Sequence, residues 1–467
     1  MKSVIKNFIK TSGFNLKRVP ILKKEINKLA KIKNRKEKVA ELKNLIKKFP
    51  NYPNFYYLLA RELYYLSDAS FFQLLNDYGA KRNQWLKETG LEILDIEFIQ
   101  PAVFMGSIGN FYALENLIRA NNLGLRDKKK LLYILPKKAK FTNSVLAGYF
   151  EKYVKIIKED DLDSDIEDFA SSLSLPLGFC VPMRKECLYL DIAANRCEKE
   201  ENEKKISPSI LKLKEDHKNQ GIKILNKMGL PKDAWYVTLH VREPGYRGES
   251  KKNTKENFRN SNPLNYLKAI ERITKSGGWV FRMGDASMTP LPKMKNLIDY
   301  ARSEYKSEMM DIFLAATSKF CIGTASGFWR IPRYFGVPVI FTNSAFPMGY
   351  YSLKKNDLYL PRLIKKASNN KYQTFEEFMS CPSLLYQGDD LFKKNKLSFV
   401  ENSSEDIDFS VREMIDNIFN LSKNNFNEQQ IKFRKVAEKN INKYNDSVKA
   451  FAKCSQSFLE NYPNLLS

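Results

Sequence analysis

Short apolar runs alternate with amphipathic segments of helix length between residues 234 and 342, and this alternation constrains the fold more than any other feature of the chain. The apolar runs are WYVTLHV, GWVF, FCI and VPVIF. Between them lie PLNYLKAIERITKSGG, MMDIFLAATSK and FWRIPRYFG, whose spacing of apolar residues predicts helices. Strands that alternate with helices predict a parallel sheet with crossover helices on its faces.

A second series of the same kind precedes this one. LEILDIEFIQPAVF and KKLLYIL are strand-like, while FYALENLIRANNLGL and SVLAGYFEKYVKII are helix-like. The predicted fold class is therefore α/β, with two facing Rossmann-like domains, an N-terminal helical segment and C-terminal helices. The expected domains are a basic helical region at 1–85, a first Rossmann-like domain at 86–225, a second at 226–375 and a helical tail at 376–467.

The N-terminal region contains one pair of helix-like segments, KVAELKNLIKKF and NFYYLLARELYYL, separated by a turn rich in Pro. The pair resembles one unit of a tetratricopeptide array. Because a single unit does not make an array, a helical hairpin packed on the main body is the preferred interpretation.

The chain has a formal net charge of +25. Four kinds of partner are compatible with it: nucleic acid, anionic lipid, phosphorylated substrates, or none in particular. Lys is abundant throughout the chain, and no RNP, zinc-finger or helix-turn-helix signature accompanies the charge. A specific nucleic-acid partner is therefore not expected.

The N-terminus has positive charge but no continuous apolar run, so it does not match a signal peptide. No window approaches the apolar length of a membrane span. We expect a cytoplasmic protein, with peripheral contact at the inner membrane left open. The six Cys are scattered without a CxxC pair, which favours reduced thiols, and their spacing fits no common zinc pattern. No metal site is expected.

Three loops carry the residues most suited to chemistry, and each follows a predicted strand of the second series. They are HVREPGYRGE, RMGD and GTASG. Ligands of parallel sheets sit beyond the carboxyl ends of the strands, so these loops are expected to meet there. Arg binds phosphate oxygens with a planar fork of donors, and glycine lets backbone N–H groups approach an anion. The pattern favours a phosphate-binding cleft that contains Arg242, Arg247, Arg282, Asp285, Gly323, Thr324, Ser326 and Gly327.

The first series has one glycine turn of its own, MGSIGN, between a predicted strand and a predicted helix. Glycines in such turns often serve the backbone alone, so the functional and the structural interpretation both stay open. If the turn is functional, it leaves a helix N-terminus accessible to ligand.

Together these segments resemble a bacterial family of glycosyltransferases. The resemblance rests on SIGN before a helix, YVTLHVREPGYRGE, GGWVFRMGD, MDIFLAATSKFCIGTASG and the closing FLENYPNLL, with HVREPGY as its most specific part. It covers most of the chain after about residue 90. More distantly, HVR after a strand is similar to the HxRR or HVR loop of fucosyltransferases of the GT-B fold.

The resemblance implies a transferase that moves a sugar from a nucleotide sugar to a glycan, lipid-linked or protein acceptor, in surface polysaccharide or glycoconjugate synthesis. It implies that Arg242 binds the donor diphosphate and that Thr324 and Ser326 lie on the phosphate side. Glu243 stands where some relatives have a second Arg, which argues against GDP-fucose as the donor. Asn110 replaces a His of the bacterial family and cannot act as a base. The donor-side set further includes Arg247, Arg282, Gly284, Asp311, Gly323 and Gly327, and the acceptor-side set is Gly106, Ser107, Gly109, Asn110 and Tyr246.

Glycosyl transfer passes through an oxocarbenium-like state, and negative charge develops on the departing diphosphate. Arginines and backbone donors can stabilise that charge in place of a metal ion, so we expect catalysis without metal or other cofactor. The candidate bases are His240, Glu243, Asp285 and Asp311. Two rival interpretations remain: a nucleotide- or sugar-binding protein without turnover, and, less favoured, a nucleic-acid-binding protein.

Overall fold

The computed structural model describes residues 18–100, 102–135, 140–158, 170, 173–184, 186–206, 209–244, 256–386, 388–421 and 425–466. The chain divides into two compact units, Met1–Cys197 and Glu198–Ser467. The finer division at residues 85, 225 and 375 stays a prediction.

From Arg18, where the described part of the first unit starts, four helices follow one another. They are α1 (Arg18–Lys31), α2 (Arg35–Lys48), α3 (Pro53–Tyr65) and α4 (Phe71–Glu88). The side chain of Asn34 caps α2 by accepting the N–H groups of Lys36 and Glu37. The helical hairpin predicted from the Pro-rich turn is confirmed as α2 and α3.

A small sheet follows these helices. Its strands are β1 (Ile96–Ile99), β2 (Lys130–Leu135) and β3 (Val154–Lys158), which pair in parallel in the order β1-β2-β3. The connecting helices are α5 (Ala102–Met105), α6 (Phe111–Leu123) and α7 (Ser144–Phe150). The unit then continues through an antiparallel pair, β4 (Cys180–Pro182) and β5 (Cys187–Tyr189), and α8 (Leu190–Lys204) continues past Cys197 into the second unit.

The first strand is shorter than the sequence predicted. Val103 and Phe104, expected in a strand, lie in α5 and are buried. Phe104 packs edge-on against Tyr133 of β2, with ring centroids 4.5 Å apart. Packing against the small sheet therefore outweighs the strand preference of these two side chains.

The second unit is built on a seven-stranded sheet in the order β14-β11-β10-β9-β6-β7-β8. Every pairing within it is parallel. Its strands are β6 (Tyr236–His240), β7 (Trp279–Arg282), β8 (Leu297–Ile298), β9 (Cys321–Gly323), β10 (Val339–Ser344), β11 (Leu358–Pro361) and β14 (Lys453–Cys454). A separate antiparallel pair consists of β12 (Leu363–Lys366) and β13 (Leu397–Val400).

Helices surround this sheet. They are α9 (Glu215–Lys227), α10 (Leu267–Lys275), α11 (Glu308–Thr317), α12 (Arg330–Tyr334), α13 (Pro347–Tyr350), α14 (Phe375–Met379), α15 (Asp389–Lys394), α16 (Ser404–Ile418), α17 (Glu428–Ile441) and α18 (Gln456–Asn461). One face of α16 is apolar and packs inward, because Ile407, Val411 and Met414 are buried. Ser403 caps this helix through a reciprocal hydrogen-bond pair with Asp406.

The fold class predicted from the sequence is confirmed: the chain is α/β, with parallel sheets in both units, N-terminal helices and C-terminal helices. The sequence did not predict β14, which adds the C-terminal segment to one edge of the larger sheet. Five of the six cysteines are buried and all six are free thiols, as their scattered positions suggested. Across the described parts of the chain, no helix combines the length and apolarity that crossing a membrane requires.

Candidate functional site

The three predicted loops leave one edge of the seven-stranded sheet side by side. β6 lies between β9 and β7, so that His240 is opposite Gly323 and Leu239 is opposite Arg282. Because the three strands are parallel, their carboxyl ends share this edge. The three loops that the sequence analysis singled out therefore leave the sheet at the same edge.

His240 is the last residue of β6 and is buried, with 9% of its surface exposed. Its Nδ1 lies 3.1 Å from Oγ of Ser326, and its ring stacks on Phe328 with centroids 5.3 Å apart. Burial, assisted by the positive charge of Arg282, lowers the pKa of His240 to about 4. The imidazole is therefore neutral at pH 7, where it can share a hydrogen bond but is a weak base.

This lowered pKa predicts a specific dependence of stability on pH. Between the unfolded pKa of about 6.5 and the folded value of about 4, the unfolded chain binds the proton more readily. The free energy of unfolding should therefore fall as pH is lowered through this window, by up to about 3 kcal/mol at its lower end. Urea unfolding at several pH values checks this, with His240→Asn as the variant that cannot titrate. Parallel curves for the two proteins between pH 7 and 4 would contradict the assignment.

Arg242 lies two positions after β6 and contacts the loop that follows β9. Its backbone N–H donates to Oγ1 of Thr324 at 2.8 Å. Its guanidinium donates to the side chain of Asn260 and, at 3.0 Å, to Oε2 of Glu256. The structure thus brings together Arg242 and Thr324, two of the residues assigned to the phosphate side.

Arg282 and Glu243, both in the predicted set, pair with each other. Arg282 is fully buried, and its Nη2 donates to Oε1 of Glu243 at 2.6 Å. The other carboxylate oxygen of Glu243 accepts the N–H of Thr289 at 2.9 Å, and Nη1 of Arg282 lies 3.4 Å from Oδ1 of Asp299. This ion pair fixes the loops after β6 and β7 to each other.

The turn after β7 contains Gly284 and Asp285. Gly284 has a φ of 137°, and a Cβ added there would lie 2.1 Å from Sδ of Met288, so the turn requires glycine. Asp285 is half-buried, and its Oδ1 accepts the N–H of Ser287 at 2.9 Å. Its negative charge acts on His240, where it opposes the lowering of that pKa.

Backbone hydrogen bonds constrain the loop at residues 324–327. The N–H of Thr324 donates to the carbonyl of His240 at 3.2 Å, and the N–H of Ser326 donates to the carbonyl of Thr324 at 2.6 Å. A Cβ added to Gly323 would lie 2.5 Å from Cβ of Trp329, so this glycine is required for packing. Ser326 and Gly327 are partly exposed at the edge, and α12 begins only at Arg330 and is five residues long.

Asp311 lies in the first turn of α11, where the amino group of Lys306 donates to its two oxygens at 3.0 and 3.1 Å. Burial raises the pKa of Asp311, and the charge of Lys306 opposes that shift. Lys306 also acts on His240, where its positive charge contributes to the lowered pKa. The start of α11 therefore lies near the site, with Asp311 already in an ion pair.

Two further arginines belong to this edge that the sequence analysis did not single out. Nε of Arg259 donates to the carbonyl of Ala325 at 2.7 Å, inside the loop after β9. Burial lowers the pKa of Arg259, and the positive charges of Arg242 and Arg330 add to that shift. One signal could have found Arg259: it lies in the connection from β6 to α10, which starts at the carboxyl edge.

The predicted acceptor-side turn lies in the first unit, between α5 and α6. Residues Ile108–Asn110 form a turn of 3-10 helix, and Oγ of Ser107 donates to Oδ1 of Asn110 at 3.2 Å. Gly106 and Gly109 lie partly exposed in the same turn. Its role in binding an acceptor stays a prediction.

Arg247 and Tyr246 lie outside the described residues, so their roles stay predictions as well. Within the described ranges, no group of three or more His, Cys, Asp or Glu side chains is placed to hold a metal ion. In the part of the site that is described, the side chains that could meet an anion are the guanidinium groups of Arg242, Arg259 and Arg330 and the hydroxyl group of Ser326.

No protein-family model matches the sequence, and no curated protein matches it. Among solved structures, the chain is similar to a glycosyl transferase family 9 protein from Veillonella parvula DSM 2008, with a TM-score of 0.34, 10% identity, and coverage of 57% of this chain and 85% of that one. It is also similar to the iron-containing dodecameric glycosyltransferase TibC from enterotoxigenic E. coli H10407, with a TM-score of 0.34, 12% identity, and coverage of 70% and 76%.

A third similar structure is the E. coli ADP-heptose LPS heptosyltransferase II, with a TM-score of 0.28, 9% identity, and coverage of 53% of this chain and 83% of that one. All three are glycosyltransferases by name, and none of the three is named a fucosyltransferase. At these scores we transfer no residue role or substrate from them.

Proposed function

We propose that this protein is a glycosyltransferase of the GT-B type, which moves a sugar from a nucleotide sugar to a hydroxyl group of an acceptor. The observation that carries the proposal is the group of arginines at the carboxyl edge of the parallel sheet. Arg242 and Arg259 both hydrogen-bond to the loop after β9, at the carboxyl edge of the sheet, and both form an ion pair with Glu256. Ligands of parallel sheets bind at this edge, and guanidinium groups suit the diphosphate of a nucleotide sugar.

The same arrangement supports catalysis without a metal ion. When the anomeric C–O bond breaks, the nucleoside diphosphate leaves with additional negative charge. Fixed guanidinium donors can stabilise that charge without reorganising during the reaction. Arg242 is therefore proposed as the diphosphate anchor, with Thr324 and Ser326 beside it.

Proton removal from the acceptor hydroxyl needs a base. Glu243 is held by Arg282, Asp311 is held by Lys306, and the imidazole of His240 is a weak base. The carboxylate of Asp285 accepts hydrogen bonds from Ser287, a neutral partner, and its negative charge acts on His240. Asp285 is therefore the proposed base.

The acceptor remains a broad class: a glycan, a lipid-linked sugar or a protein. The turn at 106–110 and Tyr246 are proposed to contribute to its recognition. A role in bacterial surface polysaccharide or glycoconjugate synthesis, and peripheral contact with a membrane surface, belong to the same proposal. The HVR loop resembles that of fucosyltransferases, but Glu243 is in an ion pair and does not offer a second cation, so a fucosyl donor is not part of the proposal.

A nucleotide- or sugar-binding protein without turnover is the second candidate. It is favoured by the state of the predicted bases, since two of the carboxylates are in ion pairs and His240 has a pKa of about 4. The two candidates share the anion site and differ only in chemistry.

A thermal-shift screen with GDP, UDP, ADP, dTDP and CMP and their sugar conjugates tests the proposal. A ligand that binds only the folded protein raises its melting temperature. We expect at least one nucleoside diphosphate to do so, and its sugar conjugate to be consumed with or without EDTA. Binding without consumption of any donor would favour the second candidate, and no binding at all would overturn both. Consumption that EDTA abolishes would overturn the metal-independent mechanism.

A further inference from the structure

The connection between β6 and α10 carries a compact arrangement of charges, Arg242, Glu256 and Arg259. One carboxylate oxygen, Oε2 of Glu256, accepts hydrogen bonds from Nη2 of Arg242 at 3.0 Å and from Nη1 of Arg259 at 2.8 Å. A single anionic oxygen between two guanidinium groups is also the geometry in which a phosphate oxygen is bound. The two arginines therefore converge on a point that suits an anion.

We infer that Arg259 is a second anion-binding arginine of this site, and that the carboxylate of Glu256 competes with an anionic ligand for the two guanidinium groups. The inference rests on the proposed function, because it places the ligand's diphosphate between Arg242 and Arg259. It adds a binding residue and an internal competitor to that function.

Both arginines hydrogen-bond to the loop after β9, Arg242 through its backbone and Arg259 through its guanidinium. The backbone N–H of Arg242 donates to Oγ1 of Thr324 at 2.8 Å, and Nε of Arg259 donates to the carbonyl of Ala325 at 2.7 Å. While Nε of Arg259 donates to the loop, Nη1 of the same guanidinium donates to Glu256. A shift of the Arg259 guanidinium, or of the Arg242 backbone, would therefore break a hydrogen bond to this loop.

Two buried charged residues form hydrogen bonds with the backbone of the segment that carries Glu256 and Arg259. Asp389 accepts the backbone N–H groups of Asn257 and Phe258 at 3.1 and 2.9 Å. Arg362, which is almost fully buried, donates to the carbonyl of Phe258 at 3.0 Å. Such support argues for a preformed site, since an exposed surface turn would not need it.

The side chains of Arg242, Glu256 and Arg259 differ in their exposure to solvent. The side chain of Glu256 is 48% exposed, whereas those of Arg242 and Arg259 are 17% and 26% exposed. The carboxylate can therefore turn into solvent while the guanidinium groups stay. The positive charge of Arg330 also acts on Arg259, so the group without Glu256 has an excess of positive charge that attracts an anion.

Titration of inorganic pyrophosphate into the full chain, followed by calorimetry at fixed ionic strength, tests the inference. Arg259→Gln should weaken binding by about tenfold or more, because one charge-assisted hydrogen bond is lost. Glu256→Gln should instead tighten binding by about fivefold, because it removes the competing charge. The same variant should lower the melting temperature in buffer alone, because the arginines then repel one another.

Two matched substitutions control for net charge. Glu271→Gln and Arg412→Gln change the charge by the same amounts at exposed positions, where the side chains are 54% and 62% exposed. Neither should change the affinity for pyrophosphate. If they act as strongly as Glu256→Gln and Arg259→Gln, the effect is one of net charge and the inference is wrong.

The outcome also separates this inference from the proposed function. If the wild-type chain binds neither pyrophosphate nor any nucleoside diphosphate, the proposed function fails. If it binds and Arg242→Gln abolishes binding, while Arg259→Gln and Glu256→Gln leave it unchanged, only the inference fails. Because Glu256→Gln is expected to gain affinity, misfolding of the arginine variant cannot imitate the expected pair of results.

Discussion

Replacement of Arg242 with Gln is expected to lower the rate constant for sugar transfer by about 100- to 1000-fold, the usual effect of removing one donor that stabilises transition-state charge. Arg242 donates to Glu256 and Asn260 from a position next to Thr324, at the edge where a diphosphate would leave. The guanidinium is expected to bind that leaving group more strongly as its charge grows. Steady-state kinetics with the donor found in the ligand screen measures the effect.

The Arg242→Lys variant sharpens this prediction. It keeps the charge but loses the planar fork, so it should lie between wild type and Arg242→Gln. Urea unfolding of all three proteins shows whether the fold is intact, since Arg242 also contacts Asn260 and Glu256. If Arg242→Gln folds normally and both kcat and donor binding match wild type, Arg242 is not the diphosphate anchor.

Replacement of Arg282 with Gln is expected to lower the free energy of unfolding by about 4 kcal/mol, as for other buried ion pairs that lose one partner. Arg282 is fully buried, and Glu243 is only 8% exposed. Without the guanidinium, the carboxylate of Glu243 would keep the N–H of Thr289 but lose its buried counter-charge. Chemical denaturation at pH 7 measures the loss.

A double variant distinguishes a structural role of the pair Arg282 and Glu243 from direct binding of the donor by Arg282. Arg282→Met with Glu243→Leu removes both charges and should recover most of the stability that Arg282→Gln loses. If Arg282 instead binds the donor directly, the double variant should be stable and yet lose donor affinity. A stability of Arg282→Gln within about 1 kcal/mol of wild type would contradict the structural role, since exposed pairs contribute no more than that.

The sequence was sufficient to predict that the three candidate loops share one edge of the sheet. The strand-forming residues of β6, β7 and β9 are continuous, and each run ends in polar residues or glycine, so the order of elements followed from local preferences. It was not sufficient for β14, whose two residues, Lys453 and Cys454, carry no strand signal of their own. That strand forms because its backbone groups pair with β11.

Which charges pair with which could not be predicted, because pairing depends on the fold. Arg282 and Glu243 are 39 positions apart and meet only when β6 and β7 lie together. Both were expected to face a ligand, and they are in contact with each other. Arg259 was not predicted because it lies in a polar stretch that has no periodic pattern. It joins the site because the connection from β6 returns to the loop after β9.

The position of β14 also bears on how the chain folds during synthesis. The segments of the first unit all precede Glu198, so this unit can complete its core while later residues are still being added. The edge of the larger sheet at β11 stays unpaired until Lys453 and Cys454 have been added to the chain. Until then the backbone groups of β11 on that side are open to pairing with other strands, which is a route to aggregation.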